Sequence, residues 1–238
     1  MKKLLTCISV LGLMLGLLVM PVKADGNFAI GVIANLSTFD TSGHEQERQN
    51  SAGSSDLEKT TATHSEDVEF GSLFVEYQAM TDKFLGITFG LEYVPGEATL
   101  GAKSRTDTQS DTEETDDSSG TYTAKAQVSN HMAVYIEPTI GNEWFGVYAK
   151  GGLSRVTVET LESIANGTDS SAYGDEGVFG WMAGVGMKAK HSSGLFLKLE
   201  GLTIDYDKVT LLGSGGNANY IEAEPEQDSV RLAIGFAF

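Results

Sequence analysis

Hydrophobic and polar positions alternate along most of this chain with a period of two, and after residue 24 they do not settle into a helical period. The last nine residues, VRLAIGFAF, show the pattern most clearly. Val230, Leu232, Ile234, Phe236 and Phe238 share one side of an extended strand, while Arg231, Ala233, Gly235 and Ala237 share the other. The same alternation predicts eight strands, near 28–39, 68–79, 84–94, 123–140, 144–158, 177–189, 195–206 and 228–238. In the third, Leu85, Ile87, Phe89, Leu91 and Tyr93 oppose Gly86, Thr88, Gly90 and Glu92. Each stretch reaches the roughly 9 to 11 residues that a tilted strand needs to cross a bilayer.

The connections alternate in length as well. Short turns join strands two and three (80–83), four and five (141–143), and six and seven (191–194). Long polar loops, near 40–67, 95–122, 159–176 and 211–227, fill the other gaps. A soluble sandwich has no reason to sort loop length by end, whereas a barrel crossing an outer membrane does. The expected fold is therefore all-β: an antiparallel, up-and-down transmembrane β-barrel of eight strands, with short periplasmic turns and long extracellular loops.

The N-terminus agrees with export. Lys2 and Lys3 precede an apolar run from Leu4 to Met20, followed by Pro21 and the small-residue pattern Val22-Lys23-Ala24, which reads as a cleaved signal peptide over 1–24. One barrel domain, 25–238, is expected to follow, with Sec-dependent delivery to the outer membrane of a Gram-negative bacterium. Cys7 lies in the leader, so the mature chain has neither disulfides nor thiolate metal sites. The leader takes Lys2, Lys3 and Lys23 with it, moving the net charge from −17 to −20. So acidic a chain excludes nucleic-acid binding by phosphate neutralisation.

In these features the chain resembles the small bacterial outer-membrane β-barrels of the OmpA and OmpX type. The resemblance rests on the leader, the eight alternating strands, the loop asymmetry and the terminal aromatic, and it covers most of the mature chain. It implies that Phe236 and Phe238 form part of the signal read by the barrel-assembly machinery. It also implies that the Val230-to-Phe238 face meets lipid. The peptidoglycan-binding module that some members carry has no counterpart in this sequence. Phe84, Trp144, Phe145, Phe196 and Phe238 lie near the short turns, and Phe39, Tyr93, Phe179, Trp181 and Tyr206 toward the long loops, as two interfacial girdles.

If the apolar face is outside, parity places Glu76, Glu92, Glu137, Lys150, Lys188, Lys198, Glu200 and Arg231 in the lumen. Buried charges need partners, and Glu200 with Arg231, on sequential strands at similar height, is the first pair expected. Eight strands leave a lumen that side chains fill, so a packed polar network is expected in preference to a porin-like water-filled pore. The first three loops hold 19 acidic residues against 4 basic ones, and DTQSDTEETDDSSGT (107–121) has the composition of a mobile segment. Their carboxylates could recruit divalent cations at a lipopolysaccharide surface. They lack ordered ligand spacing, however, and no metal site or cofactor is assigned.

No catalytic residue is assigned either. Ser129 and His131 share a strand face with Glu137, an arrangement a lipid-modifying barrel could use, but such i, i+2 spacing is common by chance. The expected role is structural or surface-interactive, adhesion or shielding, carried by the acidic loops of a monomer. A small cation-preferring channel is the second reading and a lipid-modifying enzyme the third. The expected partners are outer-membrane lipids and lipopolysaccharide, the assembly machinery and a surface ligand.

Overall fold

The computed structural model describes residues 27–48, 57–80, 84–107, 120–164, 174–212 and 220–238. The proposed leader, 1–24, lies outside them, as does most of the acidic 107–121 segment. Ten strands occur among the described residues: β1 (Phe28–Arg48), β2 (Leu57–Met80), β3 (Leu85–Tyr93), β4 (Glu97–Asp107), β5 (Gly120–Gly141), β6 (Phe145–Ile164), β7 (Asp175–Lys190), β8 (Leu195–Tyr206), β9 (Val209–Leu212) and β10 (Tyr220–Ala237). They make eight staves. β3 and β4 both pair with β5, interrupted at Val94-Pro95-Gly96, where Pro95 has no N–H to donate and Gly96 adopts φ 98°. β8 and β9 both pair with β10, interrupted at Asp207-Lys208. Antiparallel pairing of β1 with β10 closes the ring.

The register fixes the barrel's shape. Starting at Met80, partners lead through Gly86, Thr139, Tyr148, Gly186, Glu200, Arg231 and Asn35, and return to β2 at Phe70, ten residues from the start. With eight staves, that stagger corresponds to a strand tilt of about 40°. From Phe145 to Arg155 on β6 the wall then rises about 25 Å, the height of an outer-membrane apolar band. Between those residues the outward side chains are Val147, Ala149, Gly151 and Leu153.

Outward residues of the lower wall are the large hydrophobics expected to meet lipid. They include Val230, Leu232 and Ile234 on the final strand, with Phe238 at its foot, and Arg231, Ala233 and Ala237 point inward. The girdles are partly redrawn. Phe28, Tyr77, Phe84, Trp144, Phe145 and Phe238 are exposed at the periplasmic end, and Tyr93, Phe179 and Trp181 at the other. Phe39, Phe196 and Tyr206 are instead buried inside. Their positions have inward parity, and an aromatic near a turn does not by itself declare its face.

The long loops are also shorter than the sequence suggests. β1 and β2 stay paired up to Arg48 and Leu57, β5 and β6 up to Tyr122 and Ile164, and β10 pairs with β1 up to Tyr220 and Gln46. Hydrophobic periodicity misses these extensions because they bury little. On β2, residues 59–67 are exposed on both faces, and a strand wet on both sides has no reason to alternate. Above Leu73, β2 pairs with β1 alone and β4 with β5 alone, leaving a seam bridged by His64 Nε2 and the carbonyl of Leu100 at 3.0 Å. At the other end, Asn142 Oδ1 accepts hydrogen bonds from the N–H groups of Trp144 and Phe145, both 2.9 Å, and Gly194 takes φ 94° in the turn before β8.

Candidate functional site

The lumen is layered. Near the periplasmic turns, Ala29, Ile33, Phe74, Phe196, Ala233 and Ala237 form a small apolar plug. Toward the extracellular side, Phe39, Val156, Val178, Met182, Ile204, Tyr206 and neighbours form a larger one. Between them, one chain of alternating charge links six staves. Glu92 pairs with Arg231; Arg231 Nη1 lies 3.0 Å from Glu200; Lys150 Nζ lies 2.7 Å from Glu200 and 3.0 Å from Glu137; Lys198 Nζ lies 2.6 Å from Glu137 and also pairs with Glu76. All seven are buried.

Hydroxyls and rings complete the layer. Tyr135 donates to Glu76 (3.0 Å), Tyr148 to Glu200 (3.1 Å) and Ser72 to Glu92 (2.6 Å). Lys150 Nζ also sits 4.1 Å above the Tyr135 ring. Glycine makes this possible: a Cβ on Gly90 would fall 2.1 Å from the Tyr135 ring, and one on Gly186 would fall 2.4 Å from that of Tyr148. The rings lie flat on bare backbone, which aims their hydroxyls across the lumen. Taking seven charges from water costs several kcal/mol each, and the mutual pairing offsets that cost without a large net gain. The layer's effect is therefore to fill and fix the lumen rather than to drive folding. The cavity left among these side chains is about 10 Å³, at the threshold for a single water molecule.

A family model, outer membrane protein beta-barrel domain, matches residues 9–238. The chain belongs to that family. Among solved structures it is similar to the outer membrane protein OprG of Pseudomonas aeruginosa, at 13% identity, TM-score 0.53 and coverage of 90% of this chain and 97% of that one. It also matches the attachment invasion locus protein Ail of Yersinia pestis (7% identity, TM-score 0.34, covering 83% and 98%). The outer membrane protease OmpT of Escherichia coli gives 8% identity, TM-score 0.44 and coverage of 92% and 99%. The OprG likeness shows the fold alone. No curated protein matches.

Within this outer-membrane barrel domain, seven of the eight charged positions picked out by parity lie in the one network, and Glu200 faces Arg231 in register. Lys188 does not join it: it is half-buried on the inner face, with Nζ 4.3 Å from the Phe196 ring, and has no ion pair among the described residues. Parity gave its side but not its height, which is one layer too low to reach Glu137. Phe236 and Phe238 lie on the outward face at the foot of β10. Tyr135, Tyr148 and Ser72 were missed, although all three have the same inward parity as the charges and could have been read the same way.

The Ser129 and His131 pairing is corrected. The register shifts between Ser129 and Met132, and Asn130 takes φ 52°, so this bulge turns the two side chains to opposite faces. Ser129 donates to Glu159, while His131 Nε2 lies 2.6 Å from Ser154 Oγ. Ser129 and Glu137 are consequently not on one face with each other. The new His131 and Ser154 contact has a length suited to nucleophile activation. Ser154 is only 1% exposed, however, and neither residue lines the lumen cavity. Among the described residues no group of His, Cys, Asp and Glu could hold a metal ion.

Proposed function

We propose that this protein is a non-conducting, non-enzymatic outer-membrane scaffold that carries an acidic surface for adhesion or shielding. The observation that carries the reading is the pairing of the wall far beyond the apolar band. From Glu69 to Leu57 on β2 the chain rises by about 30 Å. The exposed acids Glu66, Asp67, Glu224 and Glu226 stand on these extended strands, while the lumen beneath is filled. The reading leaves the lumen as support for the display surface, with the ion-pair layer holding the staves in register.

Two measurements test it. The refolded mature protein, verified as a compact barrel by its unheated gel mobility, should give no conductance in planar bilayers. Steady cation-selective openings sensitive to Glu92→Gln would replace the reading with a channel. Deleting 108–119 should lower adhesion of expressing cells to host-cell or matrix surfaces without changing barrel assembly, and unchanged adhesion would count against the surface role.

A further inference from the structure

Among the residues whose side-chain exposure the structure describes, the exposed lysines and arginines are Lys59, Arg155 and Lys208. Lys208 is paired with Glu222, and Lys59 stands high on the extracellular part of β2. Arg155 differs from both. It points outward from β6 at the upper edge of the apolar band, opposite Met132 on one side and Phe179 on the other. Its guanidinium carbon lies 5.8 Å from the Phe179 ring centroid, and a Cβ on Gly177 would meet Nη2 at 2.7 Å. The side chain thus crosses β7 over a bare glycine and is backed by an aromatic ring, with no ion pair among the described residues.

That setting selects a ligand. At this height the other outward charges are acids: Glu69, Asp205 and Asp228 are all exposed, so the rim as a whole repels anions and does not collect them nonspecifically. A ligand here must therefore be held locally, and it must reside where the wall leaves the hydrocarbon. A guanidinium presents a planar fork of N–H donors that matches phosphate in a bidentate way, and stacking on a ring restricts its rotamers before the ligand arrives. An arginine at the bilayer edge costs about 0–1 kcal/mol, against roughly 2–4 kcal/mol at the midplane. The position is consequently compatible with insertion while remaining close to headgroup phosphates.

We propose that Arg155, positioned by Phe179 and Gly177, binds a phosphate of an outer-leaflet glycolipid headgroup, of the lipid A kind. The shared chemistry is a phosphomonoester, and the test separates lipid-borne phosphate from free phosphate. Full-length mature protein is refolded and presented with bis-phosphorylated lipid A or its dephosphorylated form in phosphatidylcholine vesicles, and retained lipid is counted by native mass spectrometry. Wild type should retain the phosphorylated lipid about tenfold better than Arg155→Gln, with Arg155→Lys between them. Dephosphorylation should erase the difference, and Lys208→Gln should match wild type. Equal retention by wild type and Arg155→Gln, both shown to be folded by gel mobility, would overturn the site. Displacement of lipid A by equimolar inorganic phosphate would overturn its assignment to a lipid.

Discussion

Replacing Arg231 with methionine isolates what the lumen charge layer does. Arg231 serves two acids, but they do not depend on it equally. Glu200 keeps Lys150 at 2.7 Å and the Tyr148 hydroxyl at 3.1 Å, whereas Glu92 keeps only the Ser72 hydroxyl. The loss therefore falls mainly on Glu92, left buried with one neutral donor. Breaking a buried pair on one side costs about 3–5 kcal/mol, which a domain of ordinary stability barely tolerates. Adding Glu92→Leu removes the stranded carboxylate, and the double variant should regain about 2 kcal/mol or more relative to Arg231→Met alone. Urea titrations in lipid vesicles, followed by the fluorescence of Trp144 and Trp181 and completed with the Glu92→Leu single variant, measure the coupling. Both tryptophans are exposed on the outer wall, so their emission reports withdrawal from lipid. Additive losses in the double variant would refute the pairing argument. The structure also forecasts that the reciprocal exchange Glu200→Arg with Arg231→Glu restores nothing. It sets an arginine beside Lys150 and a carboxylate beside Glu92, because neither partner belongs to one pair only.

Further expectations follow from the same geometry. Gly90→Ala pushes a methyl into the Tyr135 ring and should cost about 1–3 kcal/mol by the same titration; an unchanged midpoint would mean the ring does not lie where described. Phe196→Ala empties the middle of the periplasmic plug and should cost about 3–5 kcal/mol, seen as a lower temperature for the gel-mobility shift. Asp40, Glu226 and Asp205 stand directly opposite one another on three adjacent strands, all exposed and without an ion pair among the described residues. Since like charges so placed repel, Glu226→Gln should stabilise the barrel by about 0.2–1 kcal/mol at low salt. The gain should shrink at high salt, and a gain that persists in high salt would point to another cause.

Much of this molecule was legible from period-two alternation alone. Lipid on one side and a narrow lumen on the other impose opposite chemistry on neighbouring residues, so the strands, their faces, the closed architecture and the inward charges could be read residue by residue. Glu200 facing Arg231 could be anticipated because the two strands are joined in sequence and counted from the same end. What alternation could not supply was height, since a residue's side depends on local parity but its level depends on the stagger accumulated around the whole ring. That stagger alone decides that Lys150 bridges Glu137 and Glu200, that Lys188 falls below the network and rests on Phe196, and that Arg155 reaches the edge of the apolar band. A single bulge at Asn130 reversed the face of Ser129 relative to Glu137, because one extra residue flips every side chain beyond it. The extended extracellular wall was equally hidden: strands wet on both faces obey backbone pairing, and only the folded partner strand shows where that pairing ends.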